Sequence, residues 1–201
     1  GVDVPASVPG PLTMQFGVVS DKGELKTGKT PLNAPTGGAN YRFTFPLQLT
    51  PGRYALRFAV LDATGAVGSI DTPIAAQLST LGPFTTSDVL TWWNDAQRKP
   101  QFLVLDEVPA GVTALGAGLE LYPTAGAPMP PDVAVRFSLI PAGKSAPVMQ
   151  QEATMTASDG MLKADATMPL SIVPAGTFTL RATVWAGGTQ VGTTAVVIKK
   201  R

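Results

Sequence analysis

The sequence predicts an all-β protein made of two tandem β-sandwich domains. Glycine and proline are frequent, at 21 and 19 of 201 residues, which leaves little room for long helices. A segment that alternates apolar and polar residues, a pattern typical of half-buried strands, occurs twice in the chain. A length of 201 residues suits two sandwiches of about 100 residues each.

The repeated segment spans residues 45–60 and 168–184, and the second copy carries one inserted residue, Ala175. Nine positions in the segment and the following turn are identical: Pro46/Pro169, Leu47/Leu170, Pro51/Pro174, Gly52/Gly176, Leu56/Leu180, Arg57/Arg181, Val60/Val184, Val67/Val191 and Gly68/Gly192. The copies begin 123 residues apart, far beyond the period of about 20–50 residues found in solenoids and propellers. Each copy therefore marks a domain, and we predict domains at residues 1–83 and 100–201 with a linker, or seam, at 84–99.

Each copy is predicted to end in a β-hairpin. In the first copy the inward-facing side chains are Tyr54, Leu56, Phe58 and Val60. In the second copy they are Phe178, Leu180, Ala182 and Val184. Turn residues follow at 62–65 and 186–188, and a second apolar run follows each turn.

The remaining strands are predicted from shorter apolar runs. In the first domain they lie at residues 12–19 and 40–49, and in the second at 102–105, 118–122, 133–140, 148–155 and 161–168. Short turns between antiparallel strands favour the immunoglobulin-like or fibronectin-like class of sandwich. Residues 87–90 fit either a single helical turn or the start of a strand.

Tyr54 follows a Pro-Gly corner, a place where sandwiches often tie a phenol back to the backbone. Phe178 stands at this position in the second copy and has no hydroxyl. The alternative is that both are ordinary core aromatics.

The first domain has fewer residues ahead of its repeat than the second, 44 against 68. We hypothesise that its sheet has an unpaired edge, which a strand from another chain or from an upstream segment completes by β-augmentation. Lys26 and Lys29 alone would do little to block such pairing. The alternative is a smaller sandwich that is complete by itself. The sequence begins at Gly1 and not at Met, so a longer precursor remains an open possibility.

Composition excludes several kinds of chemistry. The chain has no His and no Cys, which rules out Ser-His-Asp and Cys-His catalysis and the usual zinc sites. Asp62 and Asp71 flank the first hairpin turn and are better explained as turn-capping residues than as calcium ligands, because a calcium site needs six or more oxygens. The adjacent acids Asp106 and Glu107 would point to opposite faces of a strand, so they are not expected to act together as a general acid and a general base. We therefore expect no enzyme activity, no cofactor and no metal.

Net charge also limits the partners. At +1, the chain lacks the basic surplus that binds a phosphate backbone, so no nucleic-acid partner is expected. No run of about 18 apolar residues predicts a membrane span. The terminal residues 199–201, Lys-Lys-Arg, are expected to form a solvated tail.

Trp92 and Trp93 are the candidate binding residues. Adjacent indoles can form a platform on which sugar C–H faces stack, with Asn94 and Asp95 as polar neighbours. The alternative, which we favour, is that one indole fills a seam between the domains and the other covers the end of a sandwich.

Residues 49–69 and 82–89 resemble a region C-terminal to the von Willebrand factor A module in bacterial VWFA-related proteins, as found in acidobacteria. The resemblance covers about residues 12–90 and, more weakly, the second copy. It implies a bacterial, exported protein of adhesion-like or scaffold architecture. The A module and its Asp-x-Ser-x-Ser metal motif do not occur in the sequence, so that module's metal-dependent binding is not implied.

The expected function is that of a non-catalytic structural or interaction module, extracellular or in the cell envelope. It would act through sheet edges and loops, with a protein partner or by self-association through edge-strand pairing. The alternative is a glycan-binding or other ligand-binding module that uses Trp92 or Trp93.

Overall fold

A computed structural model describes residues 11–32, 49–94, 97–103 and 106–201 of the chain. The regular secondary structure of these residues consists of sixteen β-strands, which confirms the predicted all-β class. The chain divides into two compact units, Gly1–Gln77 and Leu78–Arg201.

The described part of the first unit is one antiparallel sheet of four strands. They are β1 (Leu12–Ser20), β2 (Leu25–Leu32), β3 (Gly52–Asp62) and β4 (Gly65–Ala76). Their order across the sheet is β2-β1-β3-β4. Leu12, Met14 and Val60 are buried, since alternate side chains of β1 and β3 share one apolar face. The predicted strand at 12–19 and the first hairpin are confirmed, whereas residues 40–48 of the predicted second strand lie outside the described residues.

The second unit contains twelve described strands in two sheets. They are β5 (Ser79–Leu81), β6 (Phe84–Thr86), β7 (Leu90–Asn94), β8 (Pro100–Phe102), β9 (Glu107–Val108), β10 (Ala114–Pro123), β11 (Ala134–Pro141), β12 (Met149–Glu152), β13 (Thr154–Ser158), β14 (Met161–Pro169), β15 (Gly176–Ala186) and β16 (Thr189–Lys200). Five strands of the seven-stranded sheet have the order β13-β14-β10-β6-β5. The other two form a branch, in which β7 pairs with β10 and β8 pairs with β7. The five-stranded sheet has the order β12-β11-β15-β16-β9, in which only β9 runs parallel to its neighbour.

The two sheets share one core. Leu119 of the seven-stranded sheet and Phe137 and Leu180 of the five-stranded sheet are all 0% exposed and belong to the same cluster of buried residues. Burying side chains of this size contributes about 1.5–3 kcal/mol each. The arrangement is consistent with a β-sandwich.

The edge strand of this unit changes sheets at Ala153. Residues 149–152 pair with β11 in one sheet, and residues 154–158 pair with β14 in the other. The amide of Ala153 still donates to the carbonyl of Val135 over 2.8 Å, so the change happens within one residue. The single strand predicted at 148–155 is thus two strands, a difference that an alternating pattern does not reveal.

The predicted linker 84–99 belongs largely to the seven-stranded sheet. Both β6 and β7 pair with the same edge of β10, and Phe84 is 0% exposed in the core of the second unit. Between them the Ser87 amide donates to the Glu120 carbonyl over 3.1 Å, so residues 87–90 form no helical turn and Leu90 opens a strand. The observed division falls between Gln77 and Leu78, ahead of the predicted boundary at 83, because strands of three residues carry almost no periodic signal.

The last strand extends to Lys200, and the prediction of a solvated tail was wrong for Lys200. Lys200 Nζ donates to the carbonyls of Leu170, at 2.9 Å, and of Val173. Arg201 pairs with Glu107 over 2.7 Å. The side chains of Lys199 and Arg201 are exposed, that of Arg201 at 70%, as predicted.

The sequence repeat is a repeat of structure. The hairpins β3–β4 and β15–β16 are equivalent, and both shift register at the same place, after Val60 and after Val184. The strand order β2-β1-β3-β4 also reproduces the order β12-β11-β15-β16. The repeat therefore extends from the hairpin to a whole four-stranded sheet.

Candidate functional site

Trp92 lies on the outer face of the seven-stranded sheet. In the register of β7 and β10, Thr91 faces Ala117 and Trp92 faces Gly116. Thr91 and Ala117 are buried at 8% and 0% exposure, which places their side chains toward the core. Alternation along the strand then directs the Trp92 side chain outward.

The Trp92 indole lies directly over the backbone of β10. A methyl group built on Gly116 would lie 2.1 Å from Trp92 Cε2, and one built on Gly118 would lie 2.9 Å from Cζ3. Only glycine at both positions leaves room for the ring, because real Cβ atoms do not approach other atoms this closely. The ring covers two successive outward positions of β10, and Trp92 remains partly exposed.

Asp165 stands beside this indole. It is the β14 neighbour of Gly118, and its Oδ1 would lie 3.0 Å from a methyl group on that glycine. Asp165 Oδ2 is 3.3 Å from Lys163 Nζ, whereas Oδ1 is buried and has no hydrogen-bond partner in the structure. Since the side chain is 35% exposed while Oδ1 is covered, a ligand in this place would reach the Oδ2 side of the carboxylate.

Two concave surfaces flank Trp92. One, of about 400 Å³, is lined by Trp92, Trp93, Asn94, Thr113 and Thr167 together with the loop at residues 109–112. The other, of about 360 Å³, is lined mainly by a group of residues that we call the Trp92 shelf: Trp92, Gln151, Glu152, Thr154, Asp165 and Thr167. Both volumes fall in the range typical of small-molecule sites.

The change of sheet at Ala153 supplies part of the shelf. Gln151 and Glu152 come from the end of β12, and Thr154 begins β13, so residues close in sequence bring amide, carboxylate and hydroxyl groups to one surface. Glu152 already accepts a hydrogen bond from Arg136 Nε. Of the two shelf carboxylates, Asp165 is therefore the one with an uncommitted oxygen.

The structure brings the predicted residues Trp92, Trp93 and Asn94 to one cavity, while Asp95 lies outside the described residues. Sequence reasoning missed Asp165, Gln151 and Thr167. A signal for this site was present in the sequence. Gly116 and Gly118 are two glycines at alternate positions of a strand, a pattern that indicates a large ring from a neighbouring strand packed over the strand's backbone.

The acidic residues considered as cation ligands have other partners. Asp62 Oδ1 accepts hydrogen bonds from the hydroxyl and amide of Thr64, both at 2.7 Å, which confirms its predicted turn role. Thr64 thereby lowers the pKa of Asp62, its hydroxyl having the larger effect. Asp71 binds Arg57. In residues 11–32, 49–94, 97–103 and 106–201, no three His, Cys, Asp or Glu side chains are grouped to hold a metal ion.

The first unit has a cavity of its own, of about 470 Å³, lined by β1, β2 and β3. Phe16, Lys29 and Arg57 contribute to its wall. Of these, Arg57 is already bonded to Asp71.

No described residue belongs to a helix long and apolar enough to cross a membrane. No protein-family model matches the chain, and no curated protein matches its sequence. The resemblance to VWFA-related proteins therefore stays a prediction.

Proposed function

We propose that this chain is a non-catalytic binding module of an exported bacterial protein, with immunoglobulin-like architecture. Strand order in the second unit supports the architecture. In the seven-stranded sheet, β10, β14 and β13 occupy the positions of strands B, E and D, and β11, β15 and β16 in the other sheet occupy those of C, F and G. In the first unit, the bond from the Tyr54 hydroxyl to the Thr50 carbonyl lies on β3, the equivalent of strand F, where immunoglobulin-like domains place a tyrosine corner.

The Trp92 shelf supports a glycan as the ligand. A pyranose ring presents a face of C–H groups that packs on an indole, and a rim of hydroxyls that need hydrogen-bond partners. Trp92 offers the indole, and the Asp165 carboxylate beside it carries the proposal, because its side chain is 35% exposed and a sugar hydroxyl can donate to the accessible part of the carboxylate. Gln151 and Thr167 add an amide and a hydroxyl to the same surface.

The test is a titration of the full chain with soluble polysaccharides, followed by tryptophan emission and calorimetry. We expect binding that Asp165→Asn weakens by about tenfold, the scale of a lost charge-assisted hydrogen bond. Asp132→Asn is the matched control, since Asp132 is exposed and lines neither of the two cavities beside Trp92. Equal affinity of Asp165→Asn and wild type, or no binding to any polysaccharide, would rule this function out.

Assembly through a sheet edge is the second candidate, and β13 is the edge that favours it. The outer strands of the first unit's sheet carry Pro31 and Pro73, which lack an N–H and are typical of edges protected from pairing. The outermost strand β13 has five residues, with neither a proline nor a charge. Its sequence is therefore better suited to accept a strand from a second chain.

Sedimentation of the full chain over a hundredfold range of concentration tests this candidate. Edge pairing predicts a mass that rises with concentration and a variant Thr156→Lys that stays monomeric, with Thr156→Ser as the control. A wild-type chain that is monomeric throughout the range would exclude self-association through β13.

A further inference from the structure

The two concave surfaces beside Trp92 adjoin each other. Trp92 and Thr167 line both of them. Thr167 faces Gly116 across β14 and β10, and Gly116 faces Trp92 across β10 and β7, so the shared residues lie in one row across the sheet. From β13, which supplies Thr154 to the Trp92 shelf, to β7 there are three strand spacings, about 14 Å in all. The two surfaces together are therefore longer than one sugar ring.

The Trp92 indole joins the two surfaces. A methyl group built on Gly116 would lie 2.1 Å from Cε2 and 2.3 Å from Nε1, at the five-membered ring. One built on Gly118 would lie 2.9 Å from Cζ3 and 3.2 Å from Cη2, on the six-membered ring. The indole thus lies along β10 with one face on the backbone. Its five-membered ring covers Gly116, which lines the cavity of about 400 Å³, and its six-membered ring lies beside Asp165 of the shelf. The opposite face of the indole is left for a ligand.

The cavity of about 400 Å³, which we call the Trp93 cavity, has hydrogen-bonding groups in its wall. Trp93, Asn94, Thr113 and Thr167 all line it. The side chains of Asn94, Thr113 and Thr167 make no hydrogen bond to another described residue, so an amide and two hydroxyls are open to a ligand. No described Asp, Glu, Lys or Arg lines this cavity.

The only charged residues that line the Trp92 shelf, among those the structure describes, are the acids Glu152 and Asp165. The cations next to them, Arg136 and Lys163, are paired with these two acids. A glycan with a carboxylate on every sugar would bring negative charge to two acids and to an uncharged cavity, and both placements are unfavourable. The charges of the two surfaces therefore favour an uncharged sugar chain.

We propose that the Trp92 shelf and the Trp93 cavity form one groove that binds a neutral, linear oligosaccharide. One sugar stacks on Trp92 and donates to the Asp165 carboxylate, and the following sugars extend into the Trp93 cavity, where Asn94 and Thr113 bind their hydroxyls. This inference rests on the proposed glycan-binding function, and it adds the length and the charge of the ligand.

The test is a calorimetric titration of the full chain with β-1,4-linked gluco-, manno- and xylo-oligosaccharides of two and of six sugars. A single groove predicts that one hexasaccharide binds per chain, at least tenfold more tightly than the disaccharide. Oxidation of the primary hydroxyls of the gluco- or manno-hexasaccharide to carboxylates should weaken its binding at least tenfold, and methyl esters of these carboxylates should restore it.

Two variants locate the two halves of the groove. Thr113→Val removes a hydroxyl from the Trp93 cavity and should lower the ratio of hexasaccharide to disaccharide affinity about threefold. Thr189→Val is the matched control, since Thr189 is an exposed threonine of the five-stranded sheet and lines neither cavity. Asp165→Asn should weaken both ligands and leave their ratio unchanged.

Equal affinity for the two lengths, two hexasaccharides bound per chain, or undiminished binding of the oxidised hexasaccharide would overturn this inference and leave the proposed function standing. Binding of a polysaccharide without binding of any of these oligosaccharides would do the same. If no polysaccharide binds, the proposed function and this inference both fail.

Discussion

Tyr54 ties the start of β3 to the corner before it. Its hydroxyl donates to the backbone carbonyl of Thr50 over 2.7 Å and lies 3.0 Å from the Thr50 hydroxyl. The ring also covers Gly52, since a methyl group there would lie 3.5 Å from the Tyr54 ring. Phe178 keeps the same relation to Gly176 in the second copy but has no hydroxyl with which to close the corner. The two corners are thus alike in packing and different in hydrogen bonding.

Tyr54→Phe should loosen this corner without disturbing the sheet. Because the bond is exposed and water replaces it, we expect a loss of about 0.5 kcal/mol, the low end for a hydrogen bond. Hydrogen exchange of the amides in residues 50–57 should be about twofold faster. Thr50→Val is the control, because it retains the accepting carbonyl. Unchanged exchange in Tyr54→Phe would show that the bond does not hold the corner.

Gly116→Ala should lower stability by about 1–3 kcal/mol, as expected for overpacking, because its methyl group would collide with Trp92. Urea unfolding followed by tryptophan emission measures the change. In the Trp92→Ala background the same substitution should be almost neutral, since the colliding ring is gone. Gly68→Ala is the control, a strand glycine with open space around its Cα. An equal cost in both backgrounds would contradict the placement of the indole over Gly116.

Lys200→Met should destabilise the second unit, and Lys199→Met should not. Lys200 donates to two backbone carbonyls in the loop before β15, and the loss of charge-assisted hydrogen bonds costs about 1.5–3 kcal/mol. The side chain of Lys199, one residue earlier, is exposed. Thermal unfolding of the two variants compares a tethered and a solvated lysine of equal charge. Equal melting temperatures would contradict the tether.

The pair Arg57–Asp71 predicts a dependence on pH. The hydrogen bond from Arg57 lowers the pKa of Asp71, and the nearby positive charge adds to this. A carboxylate with a lowered pKa stabilises the fold above its unfolded pKa of about 4, and this contribution is lost as pH falls through the folded pKa. In Arg57→Gln, NMR titration should show the pKa of Asp71 returning to its ordinary range. The pKa of Asp62 should stay low, because Thr64 sets it.

Long, regular strands could be predicted from the sequence and short ones could not. The first strands of both hairpins, β3 and β15, alternate apolar and polar residues along their eleven residues, and this period predicts a strand. Strands β5, β6 and β8 have three residues each, too few to show any period. Their pairing depends on neighbouring strands: β6 pairs with β10, β5 with β6, and β8 with β7. The second unit's true beginning was hidden for the same reason.

Of the candidate site, only the two tryptophans could be predicted from the sequence. Adjacent tryptophans at 92 and 93 stand out in any sequence, but Asp165 lies 73 residues from Trp92 and looks like an ordinary strand acid. Its position beside the indole depends on the register of β14 with β10, which local sequence does not contain.

The register shift after Val60 and Val184 bears on how this protein arose. An extra residue in one strand of a hairpin can be accommodated at many points, so two unrelated hairpins would seldom place it identically. Its presence at the same step in both copies indicates that one ancestral sheet was duplicated together with its kink. The two copies have since diverged on this flank: Asp71 and Pro73 of the first copy correspond to Ala195 and Val197 of the second, so among the described residues the repeated arginine, Arg57 or Arg181, keeps its ion pair in the first copy only.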